Sequence, residues 1–205
     1  LYNKINVAVA KRDKWISDAV SDSKRLIYAE NDWLPGLIVD RYSDGLVLQI
    51  LSCGLERWRE AITGMLSEIT SASWIYDRSD ADVRKLEGLA LRKEWLKEPG
   101  INSRATLAGQ VVILENSIRY CVDLQNGQKT GFYLDQRKNR SVVREITQDK
   151  SVLDCFVYTG GFTHNALLGG AKDVTSIDDS TEALNLLRKN LTLNSLPGDR
   201  VEIIH

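Results

Sequence analysis

Apolar residues recur along the chain at two spacings, and the changes between them mark its parts. Ile5, Val9, Trp15, Ile16 and Val20 stand among charges at helical intervals, predicting an amphipathic helix over 4–20 that breaks at Ser21-Asp22-Ser23. Three short apolar runs follow at 25–29, 37–39 and 46–51, separated by Asp32-Trp33-Leu34-Pro35-Gly36 and Ser43-Asp44-Gly45. Both separators carry turn chemistry, so the runs predict an antiparallel meander. Leu55, Trp58, Ile62, Met65, Leu66 and Ile69 return to helical spacing over 55–70, and Trp74-Ile75-Tyr76 predicts a further strand. The densely charged residues 77–88 predict a solvated loop and helix. Residues 89–109 show no regular period, with Pro99-Gly100 an exposed loop, and 111–114 with 117–124 predict a hairpin around Glu115-Asn116.

The remainder has a tighter plan. Val152 and Leu153 read as the end of a short buried strand, and Asp154 sits at its tip. Gly160-Gly161 permits a sharp bend and a close backbone approach before a helix whose apolar side is Ala166, Leu167 and Leu168 and whose stop is Gly169-Gly170. A second strand, 174–177, ends on Asp178, and Asp179 with Glu182 suits a capping box for a helix with a Leu184, Leu187 and Leu191 stripe. Val201-Glu-Ile-Ile-His205 reads as a third strand. Strand, glycine turn, helix, strand and acid make a mononucleotide-binding βαβ unit.

The chemistry of that unit favours one ligand class. A dinucleotide site carries G-x-G-x-x-G so that pyrophosphate can sit on a helix N-terminus, and no such run occurs here. An acid at the first strand tip suits the cationic part of S-adenosylmethionine, and helix N-terminal amides suit its carboxylate. Asp178 follows at about the 20-residue distance from which an acid reaches ribose hydroxyls. A ligand-free α/β unit with a turn glycine pair shows the same pattern, because a fold does not fix a function. A nicotinamide-dependent oxidoreductase is the alternative that the missing fingerprint weighs against.

Composition narrows the picture little. The 205 residues permit one large domain or two small ones, with 43% hydrophobic and 27% charged residues and a net charge of −1. Any nucleic-acid surface must therefore be local, and the most basic stretch holds Lys129, Arg137, Lys138, Arg140 and Arg144. Phe132-Tyr133-Leu134 is a short apolar segment there, and Asp135 suits the cap of a helix through Val142, Val143 and Ile146. Cys53, Cys121 and Cys155 are an odd number, each within an apolar run, which predicts buried thiols in a reducing, cytoplasmic setting. Two histidines and no C-x-x-C leave no zinc site, and no apolar run suits a bilayer. The first residues read as the middle of a helix and the last as a sheet cut short, so a piece of a longer protein is expected. A homodimer formed by pairing exposed strand edges is open to such a piece.

Two stretches, Gln-Asn-Gly-Gln-Lys-Thr-Gly-Phe-Tyr-Leu-Asp-Gln-Arg (125–137) and Val-Leu-Asp-Cys-Phe-Val-Tyr-Thr-Gly-Gly-Phe (152–162), carry a resemblance. Leu-Pro-Gly-Leu-Ile-Val-Asp-Arg (34–41) and Tyr-Asp-Arg-Ser-Asp (76–80) extend it over nearly the whole chain. In that order they resemble the PUA-linked, class I S-adenosylmethionine-dependent RNA methyltransferases that make 5-methylcytosine in large-subunit ribosomal RNA. The resemblance implies an α/β chain with a linking helix (1–23), a central α+β domain (24–124) and the first half of a Rossmann-like class I methyltransferase domain (125–205). It implies that Asp154, Phe156, Tyr158, Thr159 and Gly160 hold the methionine part of the cofactor, Asp178 the ribose, and Asp179 the adenine side. Phe132, Tyr133, Asp135, Gln136 and Arg137 would line the same site, and Lys129, Lys138 and Arg140 would meet RNA. The family's nucleophilic cysteine is expected after His205, since none of the three cysteines matches its position. A non-catalytic RNA-contact or folding module is the other reading of such a piece.

Overall fold

Helix α1 (Tyr2–Trp15) buries Ile5, Ala8 and Val9, the face that its apolar spacing foretells. The computed structural model describes residues 1–205 and divides them into two units. Leu1–Leu114 with Asp123–Phe132 form the first, and Glu115–Val122 with Tyr133–His205 the second. The helix is shorter than its sequence pattern: Ile16 is already extended, with φ −131°, and Trp15 is 66% exposed. Lys11 and Arg12 lie over the Trp15 ring, 4.8 and 5.6 Å from its centroid.

In the first unit, β1 (Ser23–Tyr28), β2 (Leu37–Tyr42) and β3 (Gly45–Ile50) form the expected antiparallel meander. The single helix expected over 55–70 divides at Arg57-Trp58 into α2 (Cys53–Glu56) and α3 (Arg59–Thr70). Helix α3 buries Ile62 and Leu66 and returns the chain to β4 (Ile75–Asp77), which lies parallel to β3. Strand β5 (Glu94–Lys97) pairs antiparallel with β4, inside the stretch that shows no sequence period. The sheet runs β1-β2-β3-β4-β5, and Leu26, Val39, Leu48 and Ile75 share one core with α1 and α3.

Residues 77–88, expected to be solvated, are exposed at 82–83 and 85–88 but bury four polar side chains. Asp77, Arg78, Ser79 and Arg84 are at most 7% exposed, with Arg84 in the short helix α4 (Val83–Leu86). Burial is tolerable because each charge is matched. The Arg84 guanidinium donates to the Ile50 and Ala90 carbonyls and pairs with Glu56 at 2.9 Å. Arg59 stands 2.6 Å from Asp77, and Arg78 donates to the carbonyls of Leu124 (2.6 Å) and Gly127 (3.1 Å). Asp40, 1% exposed, receives Arg25 through two bonds and the Thr130 hydroxyl at 2.6 Å, while the Phe132 N–H donates to the Tyr42 hydroxyl at 2.9 Å. Residues from two of the motif stretches, together with Tyr42, thus grip one loop, 124–132.

Strands β6 (Gln110–Glu115) and β7 (Ile118–Asp123) flank a turn at Asn116-Ser117, both left-handed, one residue later than expected. The second unit continues with α5 (Arg137–Ile146), β8 (Ser151–Cys155), α6 (Gly161–Leu168), β9 (Asp173–Ile177), α7 (Thr181–Leu193) and β10 (Val201–Ile204). The three strands are parallel in the order β10-β9-β8. Val174, Leu184, Leu187 and Leu191 form its core with Ala166 and Leu167 of α6. Leu168 is 40% exposed, and Gly170, with φ +84°, closes the helix by donating to Leu167 while Ala171 donates to Ala166. Val142 and Ile146 are exposed on α5, whose buried residue is Arg140.

Strand β8 is an outer strand, and its exposed residues Ser151, Leu153 and Cys155 alternate with half-buried ones, so Leu153 is not the core residue expected. Cys155 is exposed on that face, Cys53 is exposed at the start of α2, and only Cys121 is the buried thiol foreseen. No helix is long and apolar enough to cross a membrane.

Arg84 should be the most costly charge to remove from the first unit. Arg84→Met strands the buried Ile50 carbonyl and leaves Glu56 without its partner, and should destabilise the protein by about 3–5 kcal/mol, read from the urea midpoint. A shift under about 1 kcal/mol would show that water takes over those partners.

Candidate functional site

The bend after β8 is held against its own preferences. Its residues Phe156, Tyr158 and Gly160 all have left-handed backbones, with φ of 59°, 51° and 87°. Such a conformation costs a non-glycine residue roughly 1–2 kcal/mol, and runs of it gather at ligand sites. Three contacts hold it. Val157 is buried and donates its N–H to the Ile177 carbonyl at 3.0 Å, and the Tyr158 N–H donates to an Asp178 carboxylate oxygen at 2.7 Å. The Gly160 N–H returns to the Val157 carbonyl at 3.0 Å. A Cβ on Gly160 would fall 2.2 Å from Leu187 Cδ1, so both conformation and space require glycine there.

Two carboxylates flank this bend from adjacent parallel strands. Asp154, level with Ser176 in β9, accepts the Thr163 hydroxyl at 2.7 Å, and Thr163 also bonds Ser176 at 2.8 Å. Burial raises the Asp154 pKa above the usual carboxylate value, and the negative charge of Asp178 pushes the same way. Asp178 accepts N–H groups from Tyr158 and, at 3.0 Å, Ser180. These leave lone pairs unused on a carboxylate that offers about four. Neither Asp154 nor Asp178 has a salt-bridge partner, whereas most of the chain's buried carboxylates do. Asp179 is exposed and does not cap α7; Ser180 does, accepting the Ala183 N–H at 3.2 Å, because the helix begins one residue later than the sequence spacing suggests.

Behind the bend the groups are buried and polar. The Thr159 carbonyl accepts Asn190 Nδ2 at 3.2 Å, and Asn190 Oδ1 accepts the Cys121 N–H at 2.7 Å. His164 Nδ1 bonds the Gly160 carbonyl at 2.6 Å, which requires the proton on Nδ1; burial lowers its pKa, keeping the ring neutral. Asn190 and His164 support the site without any motif to announce them.

Of the segment before β8, Tyr133 is brought to the bend, its ring edge-on to Tyr158 with centroids 5.6 Å apart. Asp135 and Gln136 occupy a 3₁₀ turn leading into α5, where Asp135 is exposed and makes no helix cap, and Arg137 opens the helix half-buried. Phe132 belongs to the first unit, buried on Tyr42, and Lys129 is an exposed residue of that unit too. Lys138 is exposed on α5. Arg140 corrects the expectation of an RNA-facing role: it is 2% exposed and grips Glu115 through two bonds of 2.7 and 2.8 Å. A guanidinium so committed has no face left for a phosphate. Its third bond, 3.0 Å to the Tyr133 carbonyl, instead sets the site's aromatic wall.

The donor set fits a cationic ligand with a ribose. Two carboxylates without a cation beside a strained bend would repel a pyrophosphate and attract a sulfonium or an ammonium. Comparisons agree with that chemistry. Residues 93–205 match a family described as S-adenosylmethionine-dependent methyltransferase. The chain is 46% identical over 201 residues to ribosomal RNA large subunit methyltransferase I of Aeromonas salmonicida, covering 98% of this chain and 49% of the relative. It is 43% identical over 183 residues to the Escherichia coli protein of that name, covering 89% and 45%. The chain therefore spans about half the length of the curated relatives it matches. Among solved structures, a candidate S-adenosylmethionine-dependent methyltransferase from Streptococcus mutans superposes with a TM-score of 0.83 at 23% identity over 99% of this chain and 50% of that one. A tRNA m1G37 methyltransferase from M. jannaschii gives 0.65 at 19% identity, over 100% and 53%. Identities that low describe the fold alone.

The raised Asp154 pKa has a signed consequence. Folded protein holds this proton more tightly than unfolded chain, so stability falls as pH rises from the ordinary carboxylate value through the raised one. Asp154→Asn keeps an acceptor for Thr163 and removes the charge. It should unfold at a higher urea concentration than wild type at about pH 7, the gap closing below the ordinary value of about 3.9. A variant less stable than wild type at neutral pH would mean that the carboxylate is welcomed, not tolerated. Gly160→Ala should be destabilised at every pH.

Proposed function

The chain belongs to the S-adenosylmethionine-dependent methyltransferase family, and we propose that it supplies the cofactor half of an enzyme that methylates C5 of a cytosine in large-subunit ribosomal RNA. The observation that carries the reading is the uncompensated pair, Asp154 and Asp178, at neighbouring strand tips. Asp154, Phe156, Tyr158, Thr159 and Gly160 hold the methionine end of the cofactor; Asp178 takes the ribose and Asp179 the adenine side. Tyr133, Asp135, Gln136 and Arg137 complete the lining, and Lys129 and Lys138 meet RNA phosphates. When bound, the cofactor supplies an electrophilic methyl on a sulfonium. The chain's own part is to orient it: Asp178 fixes the bend through the Tyr158 N–H, and Asp154 balances the positive charge in a half-dry setting where it counts most. Thr163 holds the Asp154 carboxylate in place.

Residues 1–23 act as a linking helix, 24–124 as a central domain and 125–205 as the front of the catalytic domain, in a cytoplasmic protein whose substrate is ribosomal RNA. No nucleophilic role falls to the chain's cysteines. Cys155, next to Asp154 in β8, points to the opposite sheet face, and Cys121 is buried. The names of the curated relatives support the ribosomal substrate, and the motif order supports cytosine C5.

The full-length protein should bind S-adenosylhomocysteine in calorimetry, and Asp178→Ala should weaken that binding by about tenfold or more, the worth of a hydrogen bond to a charged group. With labelled donor and large-subunit RNA, label should appear in 5-methylcytosine. Label in no cytosine sinks the substrate reading, and NADH bound in place of S-adenosylhomocysteine sinks the cofactor.

A further inference from the structure

Trp33 is the feature of the first unit that packing does not explain. It is 78% exposed, and its backbone is left-handed with φ 58° and ψ 33°, a conformation that bulky residues avoid. The fold needs its neighbours: Asp32 is buried against Arg12, and Leu34 is a core residue. Nothing in the fold needs an indole between them. Lys4 fixes the spot by donating its ammonium to the Trp33 carbonyl at 3.2 Å.

Two hollows open on either side, and Trp33 and Lys4 line both. One, of about 380 Å³, is bounded by Lys11, Val7 and Asn31 of the same unit; the other, of about 440 Å³, by Pro35, Met65 and Trp58, which is 47% exposed. Both volumes fall in the range of small-ligand sites, about 300–1,000 Å³. Their electrostatics point one way. The sole carboxylate lining the first hollow, Asp32, is neutralised by Arg12 through two bonds, and no carboxylate lines the second. Lys4 and Lys11 form no ion pair, and α1 presents a third unpaired lysine, Lys14. The other large hollow of this unit differs in kind, being lined by Glu56, Arg59, Arg92 and Glu94, which pair with one another.

Exposed aromatic faces beside uncompensated cations are the means by which proteins hold single-stranded nucleic acid, with bases stacked and phosphates met by charge. We propose that Trp33 and its flanking hollows form a single-stranded RNA contact, in which a base stacks on the indole and Lys4 and Lys11 meet the adjoining phosphates. This rests on the RNA-methyltransferase reading and adds to it a docking point in the first unit, apart from the cofactor bend. An apolar protein partner would gain nothing from the lysines, whereas RNA uses both features. The left-handed backbone turns the indole outward between the hollows at the expense of local strain, as binding residues often do.

The test uses the full-length protein, a single-stranded RNA of about 10 nucleotides and fluorescence anisotropy. Trp33→Gly suits the experiment because glycine takes the left-handed backbone freely, so the variant should fold at least as well as wild type. It should bind the RNA about tenfold more weakly, Trp33→Phe should recover most of that loss, and S-adenosylhomocysteine affinity should not change. Lys4→Gln with Lys11→Gln should lower the slope of log affinity against log salt by about 1.4, or about 0.7 for each phosphate. RNA affinity equal to wild type in Trp33→Gly would overturn this proposal and leave the methyltransferase reading standing. Dimerisation lost in Trp33→Gly with RNA affinity unchanged would overturn it too, making the patch a protein interface. A wild-type protein that binds S-adenosylhomocysteine but no RNA would fail both proposals about RNA while sparing the cofactor site.

Discussion

The second unit depends on one desolvated ion pair. Glu115 and Arg140 are each about as deeply buried as an alanine in the core, and beside their two parallel bonds the guanidinium donates to the Tyr133 carbonyl. Two charges taken from water are stable only when their geometry is this complete, because the attraction must offset a desolvation penalty of several kcal/mol for each ion. The consequence is positional. Arg140 Cδ occupies the space that a side chain on Gly161 would claim, so helix α5 approaches the start of α6 closely only because position 161 is bare. Tyr133, held by its carbonyl, then has one place for its ring, edge-on to Tyr158. The bend is thus propped from the segment before β8 as well as from β9 and α7.

The first unit uses charge in the same way for a different end. Asp40 and Arg78 come from stretches whose likeness to an enzyme family invites a chemical role, yet both, with Tyr42, bond the backbone or hydroxyl of residues 124–132. Motif residues of this kind are clamps. They fix the loop that leads into Tyr133, and the chemistry lies further along.

What could be read from the residues alone was whatever depends on near neighbours. The meander, the parallel unit from β8 to β10, the glycine bend and the Leu184, Leu187 and Leu191 stripe follow from spacing and from glycine's freedom. What could not be read depends on distant partners. Arg78, Arg84 and Arg140 look solvent-facing in a charged stretch, yet each has an acceptor 25 to 49 positions away. The Ser180 cap illustrates a smaller limit: Asp179 and Ser180 are both good cap residues, and the one-residue difference is decided by where Asp178 must end. Leu153 is exposed on β8 while Val152 is half-buried, and five residues of alternation do not say which face is packed.

The site's selectivity follows from the same electrostatics that makes it slightly unstable. A pyrophosphate at the bend would bring two negative charges toward Asp154, whose pKa is already raised by burial and by Asp178. Each added anion would push that carboxylate further toward its protonated form, and the ligand would work against the site. A cation does the reverse: its attraction favours the ionised carboxylate that burial disfavours. Beside that carboxylate, Phe156 is 90% exposed on a left-handed backbone.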